Sequence, residues 1–293
     1  MENDSEILIK AKKVIAFFDL FDYPLTAFEI WEYLTGQVKL EEIIDILDKG
    51  VPVLSQKNGL YFLTGRDEIT AIRAQHYNYS NRKYKSARKF VGLFKWLPFI
   101  KVIALANSIG AHNLRDGSDI DIFVISAPRR IWLTRFVLAS AAKLLNRRPT
   151  SKNKRDKICL SFYITTENLN LDNLMLPDGD PYFNYWLQTL VLLYNKDSVY
   201  EKFLVANRLA PDSSIVDMKN IVYAPKNIIL DQLELLLKKI QLIIMSPALK
   251  QAMNNSAGVV VNDQVLKLYL RDNRQEYAEK YGNKIRQIFT KID

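Results

Sequence analysis

Apolar residues near the start of the chain recur three and four positions apart. Ile7, Val14, Ile15 and Phe18 mark one buried face of a helix ending near Phe21. Pro24 interrupts that pattern. Thr26 followed by Glu29 is the capping-box spacing, predicting a second helix over Ala27 to Leu34, and a third is predicted from Lys39 to Asp48. Two short extended runs, Val51 to Ser55 and Leu60 to Thr64, then flank Asn58-Gly59, a strong hairpin signal. Residues 66–96 lack proline and predict one long helix, or two joined between Asn78 and Asn81. The pattern changes after Pro98. Ile100 to Ala106, Ile120 to Ile125 and Ile158 to Thr165 are short apolar runs of strand length, with an amphipathic helix predicted at Arg129 to Leu145. Further on, Asp180-Pro181 is an N-cap followed by a first-turn proline, opening an apolar segment that reaches Asn195. A short helix is predicted at Val199 to Arg208 and an amphipathic one at Ile228 to Met245. Asn262-Asp263 is read as the cap of a last helix, Gln264 to Phe289, exposing Arg271, Arg274, Lys280, Lys284 and Arg286. No internal repeat, coiled-coil heptad run or low-complexity tract is evident.

At 293 residues the chain is long enough for two or three domains, and 48% apolar with 25% charged residues is an ordinary globular balance. A single cysteine, Cys159, excludes an internal disulfide framework and fits a reducing compartment. With only His76 and His112 beside it, a Cys/His zinc site lacks ligands, and no nucleophile-elbow motif accompanies either histidine. No apolar stretch approaches the roughly twenty residues that span a bilayer. The acidic, polar start does not read as a signal peptide, so a cytoplasmic location is expected. The net charge of +9 favours polyanionic partners such as nucleic acid or nucleoside triphosphates.

Chemistry concentrates in the string IKVIALANSIGAHNLRDGSDIDIFVIS, residues 100–126. Side chains alternate along a strand, so Asp119 and Asp121 should project together from one face. Two neighbouring carboxylates suit Mg²⁺, which takes one or two such ligands and completes its shell with water and phosphate oxygens. The strand and turn upstream would bring Ser108 and nearby backbone N–H groups to a phosphate chain.

The spacing from Ser108 to Gly117-Ser118-Asp119-Ile120-Asp121 resembles the nucleotidyltransferase superfamily typified by DNA polymerase beta and by small bacterial antibiotic nucleotidyltransferases. Asn107 stands where that family has glycine. The likeness is close over residues 100–126 and loose over 66–175. It implies transfer of a nucleoside monophosphate from a nucleoside triphosphate to an acceptor hydroxyl of a small molecule, protein or RNA. Asp119 and Asp121 would hold Mg²⁺ (or Mn²⁺), with Ser108, Gly110 and Ser118 at the nucleotide. Many members add a third carboxylate from the following strand. Here that strand shows Cys159, Ser161 and Tyr163 on one face and Ile158, Leu160 and Phe162 on the other. Glu167 and Asp172 come only in the next loop. The competing expectation is therefore a catalytically degenerate module that binds nucleotide or docks a partner without turnover.

Several basic features border this stretch. His112 is expected to cap the turn, while Arg115 and the loop Asn146 to Lys157 could meet phosphates or simply face water. Arg82, Lys85 and Lys89, interleaved with Tyr77, Tyr79 and Tyr84, could grip single-stranded nucleic acid or form a solvated face. The N-terminal helices and hairpin resemble a winged helix. Glu41, Glu42, Asp45 and Asp48 on its third helix argue against sequence-specific DNA binding. The expected architecture is α+β in three parts: a winged-helix-like domain at 1–65, a small mixed-sheet nucleotidyltransferase domain at 66–175, and a helical region at 176–293.

Overall fold

A computed structural model of the chain describes residues 2–34, 38–107, 112–210, 227–254 and 257–290. In chain order these form α1 (Glu2–Asp19), β1 (Leu25–Thr26), α2 (Ala27–Tyr33), α3 (Leu40–Asp48), β2 (Leu54–Lys57), β3 (Leu60–Leu63), α4 (Ile69–Gly92), β4 (Ile100–Leu105) and β5 (Ile120–Ser126). There follow α5 (Ile131–Leu144), β6 (Ile158–Thr165), α6 (Pro181–Gln188), β7 (Val191–Asn195), α7 (Val199–Ala206), α8 (Ile228–Ile244), α9 (Pro247–Ala252), β8 (Val259–Val261), β9 (Val265–Leu268) and α10 (Arg274–Thr290). The fold is α+β, with one three-stranded antiparallel sheet and one six-stranded mixed sheet. No helix among the described residues is long and apolar enough to cross a membrane.

The chain divides into two compact units where its sequence suggested three parts. The first comprises residues 1–79, 177–188 and 273–293. Its sheet runs β1-β3-β2, and the β2–β3 hairpin turns on Asn58 and Gly59 at φ 54° and 75°, the left-handed pair that suits a two-residue loop. Thr26 caps α2 with Glu29 answering it, as the sequence spacing indicated. Aromatic rings fill this unit: Phe17 stacks on Tyr185 at 4.2 Å, and Phe18 meets Tyr33 at 4.5 Å. Asp180 caps α6 by accepting from Phe183 N at 2.9 Å, and its other oxygen takes Arg274 at 2.6 Å. Arg274 is thus buried, and Lys284 pairs with Asp19, so the expectation that both face water is corrected.

The reason lies in where the last helix begins. Residues 265–268 form β9 instead of a helical first turn, and β8 pairs with it as a hairpin. The Asn262 carboxamide accepts from Gln264 N and Val265 N at 2.8 and 2.7 Å, capping that hairpin turn. Asx capping of a turn and of a helix start look alike in sequence. With the helix starting at Arg274, that residue lies against the start of α6, where Asp180 holds it. Likewise the apolar segment after Asp180 is helical only to Gln188, and Val191–Asn195 becomes strand β7. The expected all-helical C-terminal region therefore contributes three strands to the larger sheet.

The second unit comprises residues 80–176 and 189–272. Its sheet runs β7-β4-β5-β6-β9-β8, with β5 and β6 parallel and the other neighbours antiparallel. One face packs Ile120, Ile122, Val124, Ile158 and Tyr163 against Phe90 and Phe94 near the end of α4 and Trp132 and Leu138 of α5. On the other, Phe123 meets Phe162 at 5.1 Å and Phe203 of α7 at 5.4 Å. Burial on both faces explains why these strands read as continuous apolar runs. Helix α8 packs on α5 through polar side chains: Glu234 accepts from Trp132 N and Leu133 N, both at 2.8 Å, filling orphan donors at the start of α5. The apolar residues Ile229, Leu236 and Ile243 of α8 are left exposed.

Candidate metal-binding site

Asp119 ends the turn that leads into β5, and Asp121 is that strand's second residue. Cys159 stands opposite Asp121 on the parallel neighbour β6. One oxygen of each aspartate and the Cys159 sulfur all lie within 4.8 Å of one another, and all three residues are half-buried. The two carboxylates therefore converge, on residues that are only partly buried.

A break in register brings the sulfur there. Asp121 pairs with Cys159, yet Phe123 pairs with Phe162, so β6 carries one more residue than β5 between these points. This bulge puts Cys159 and Phe162 on the same side of the sheet and turns Tyr163 into the core with Ile158. Strict alternation had put Cys159 and Tyr163 on one face and Phe162 on the other; the extra residue overturns that assignment.

Electrostatics at the cluster are unfavourable for two anions. Burial, and next the neighbouring Asp119 charge, push the Asp121 carboxyl up from its ordinary value to about 6. The Asn107 side chain, the Cys159 thiol and the charge of Lys154 pull it the other way and partly offset this. The Cys159 thiol is itself pushed well up, by burial first and then by Asp121, and its sulfur lies 3.0 Å from Ser161 Oγ. Asn107 has φ 59°, the left-handed region that glycine and asparagine tolerate. Asparagine here keeps that backbone and adds a donor to Asp121.

The turn ahead of Asp119 is held from beneath by α4. Lys83 is fully buried and donates to Asp116 O at 3.1 Å, Ser118 O at 2.6 Å and Asp156 Oδ1 at 2.8 Å. Arg82 bridges Asp116 and Asp156 at 2.6 and 3.1 Å. Burial alone would raise the Asp156 carboxyl; Lys83 and Arg82 outweigh it and hold it low. Asp156 N donates to Ser118 O and Ile120 N to Lys157 O, stitching the basic loop onto the start of β5. Arg82 thus belongs to this lock, where the sequence had suggested a nucleic-acid grip or a solvated face. Nothing in the sequence distinguished the fully buried Lys83 from its exposed basic neighbours.

Of the other expected site residues, Ser108 and Gly110 lie outside the described residues. Ser118 is in the turn, its hydroxyl donating to Arg115 O at 3.0 Å. His112 has φ 52°, in keeping with a turn role, and Arg115 is exposed. Asp172 pairs with Arg208 at 3.0 Å. Among the described residues no third carboxylate joins Asp119 and Asp121; Cys159 does. Two carboxylate oxygens fit a hard divalent cation completed by water and phosphate, whereas the sulfur is a softer donor. No family model matches the chain, and no curated protein or solved structure matches it significantly.

Proposed function

We propose that the chain is a nucleotidyltransferase of the polymerase-beta type, moving a nucleoside monophosphate from a nucleoside triphosphate to an acceptor hydroxyl. The observation that carries this is the convergence of Asp119 and Asp121 at the start of β5, beside the end of β4, where Ala106 N donates to Asp121 O at 3.0 Å. A divalent cation held by these carboxylates would supply charge neutralisation for the triphosphate. The chain's own residues supply position. Asp119 and Asp121 would hold the cation, Lys83 and Asp156 fix the turn that presents them, and Lys154 brings a positive charge to the same edge. Ser108, Gly110 and Ser118 are the proposed nucleotide contacts, by the sequence spacing.

The test is transfer of label from α-labelled nucleoside triphosphates in Mg²⁺ or Mn²⁺, with D119A/D121A as control. Label that moves equally in both proteins discards the proposal. A second reading, a nucleotide-binding or partner-docking module without turnover, is favoured by one observation: the residue beside the aspartates on β6 is a cysteine and not an acid. Nucleotide binding in calorimetry with no pyrophosphate released would select it.

The first unit supports a winged-helix-like module through its element order α1-β1-α2-α3-β2-β3 and its β1-β3-β2 sheet. Glu41, Glu42, Asp45 and Asp48 are all exposed on α3, which would repel phosphates if that helix entered a DNA groove. A protein-contact role suits it better.

A further inference from the structure

We propose that Cys159 is the third metal ligand of the Asp119–Asp121 site, and that its sulfur biases the site toward a cation of the Co²⁺–Zn²⁺ class over Mg²⁺. This rests on the proposed cation site but not on nucleotidyl transfer itself. The strand register sets Cys159 opposite Asp121, and the β6 bulge keeps its sulfur on the carboxylate side of the sheet. All three ligand atoms lie within 4.8 Å of one another, so one cation can bridge the two strands. Magnesium prefers oxygen and gains little from sulfur, whereas borderline metals such as Co²⁺ and Zn²⁺ bind mixed sulfur–oxygen sets, with affinities that rise from manganese to copper and drop somewhat at zinc.

A bound cation would offset the burial and the Asp121 charge that otherwise disfavour a charged sulfur. Ser161 Oγ, 3.0 Å from Sγ, can donate to a metal-bound thiolate, and Asn107 similarly supports Asp121. An acid at position 159 would give an all-oxygen set; cysteine changes the donor hardness and leaves the spacing alone. On this basis residue 159 determines metal specificity.

Cys159 is the only cysteine in the chain, so any sulfur-to-metal charge-transfer absorption comes from this position. The full-length metal-free protein is titrated with Cd²⁺ and with Co²⁺ and followed in the near ultraviolet. The expected result is a band that saturates at one equivalent, resists a hundredfold excess of Mg²⁺, and is lost in Cys159→Ser. It is also lost in D119N/D121N, where the thiol remains. Cys159→Asp should bind Mg²⁺ at least tenfold more tightly than the natural chain in calorimetry. Thermal unfolding of each variant verifies that it is folded.

An absent band overturns the inference, as does one of equal strength in D119N/D121N, which would mark adventitious thiol binding. Label transfer with Mg²⁺ and no band would leave the transferase proposal standing and remove Cys159 from the metal. A band without label transfer would support the ligand assignment and reject the transferase.

Discussion

Replacing Lys83 by methionine tests whether the turn before Asp119 is held from below. Methionine keeps the length and most of the apolar stem but removes three donors from a fully buried position. The acceptors left behind are two backbone carbonyls and one oxygen of Asp156, at 3.1, 2.6 and 2.8 Å. Charge-assisted bonds contribute about 1.5–3 kcal/mol each, which gives a ceiling near 4.5–9 kcal/mol. Two effects reduce it. Asp156 is a third exposed and keeps Arg82, and the variant no longer pays to bury an ammonium. The expected local loss is about 3–5 kcal/mol, the range for breaking a buried pair. Asp156→Asn, which keeps an acceptor, should cost about 1–2 kcal/mol, and the double variant should show coupling of about 1–2 kcal/mol. Because the chain has two units, hydrogen exchange of peptides covering residues 116–126 and 156–163 is a better readout than a global melt. The loss corresponds to roughly a hundredfold to several-thousandfold faster exchange there. Acceleration below about fivefold, or strictly additive single variants, would refute the claim that Lys83 clamps this turn.

Three other outcomes are expected. Because the Asp121 carboxyl is raised to about 6, its ionised form is disfavoured in the fold, and this cost is present above that pH. Asp121→Asn should therefore stabilise the metal-free protein at pH 7.5 by up to roughly 3 kcal/mol. The gain should shrink as pH falls through 6 toward 4, where the natural residue is already protonated. Thermal melts across that range check it, and cation affinity measured in parallel should weaken below pH 6 as protons compete. Asn107→Gly should preserve the left-handed backbone but move that pH midpoint upward by removing a donor to Asp121. Asn107→Ala should do the same and also lose about 1 kcal/mol of stability. Gly258→Ala would place its Cβ 2.3 Å from the Tyr269 carbonyl and 2.9 Å from Asp272 Cβ, so the β8–β9 hairpin must shift. A cost of about 2–3 kcal/mol in thermal unfolding is expected.

Local signals in the sequence located most elements. The capping box at Thr26, the Asn58-Gly59 turn, the Asp180 cap and the apolar runs of β4, β5 and β6 depend on neighbours in the chain and were legible. The aspartate pair was legible for the same reason, since its geometry follows from one strand. What escaped was set by pairing across the sheet. The β6 bulge that assigns Cys159 to the aspartates depends on register with β5, which period-two alternation does not encode. The β8–β9 hairpin was read as a helix start because Asn262 caps either one. Lys83 looked like any other base on a polar helix; the carbonyls of a turn more than thirty residues on, with the Asp156 carboxylate, make its burial possible.

The first unit is assembled from three separate stretches, and α1 packs against a helix some 250 residues later. A ribosome delivers these pieces in order, at about 5–20 residues per second. Phe17 and Phe21 can meet Tyr185 and Tyr182 of α6 earlier, but their contacts with Tyr281 and Tyr277 must wait for α10. The sheet bearing the aspartates needs only residues 80–272, so it can close while α1 still waits for α10 and stays open to chaperones and proteases.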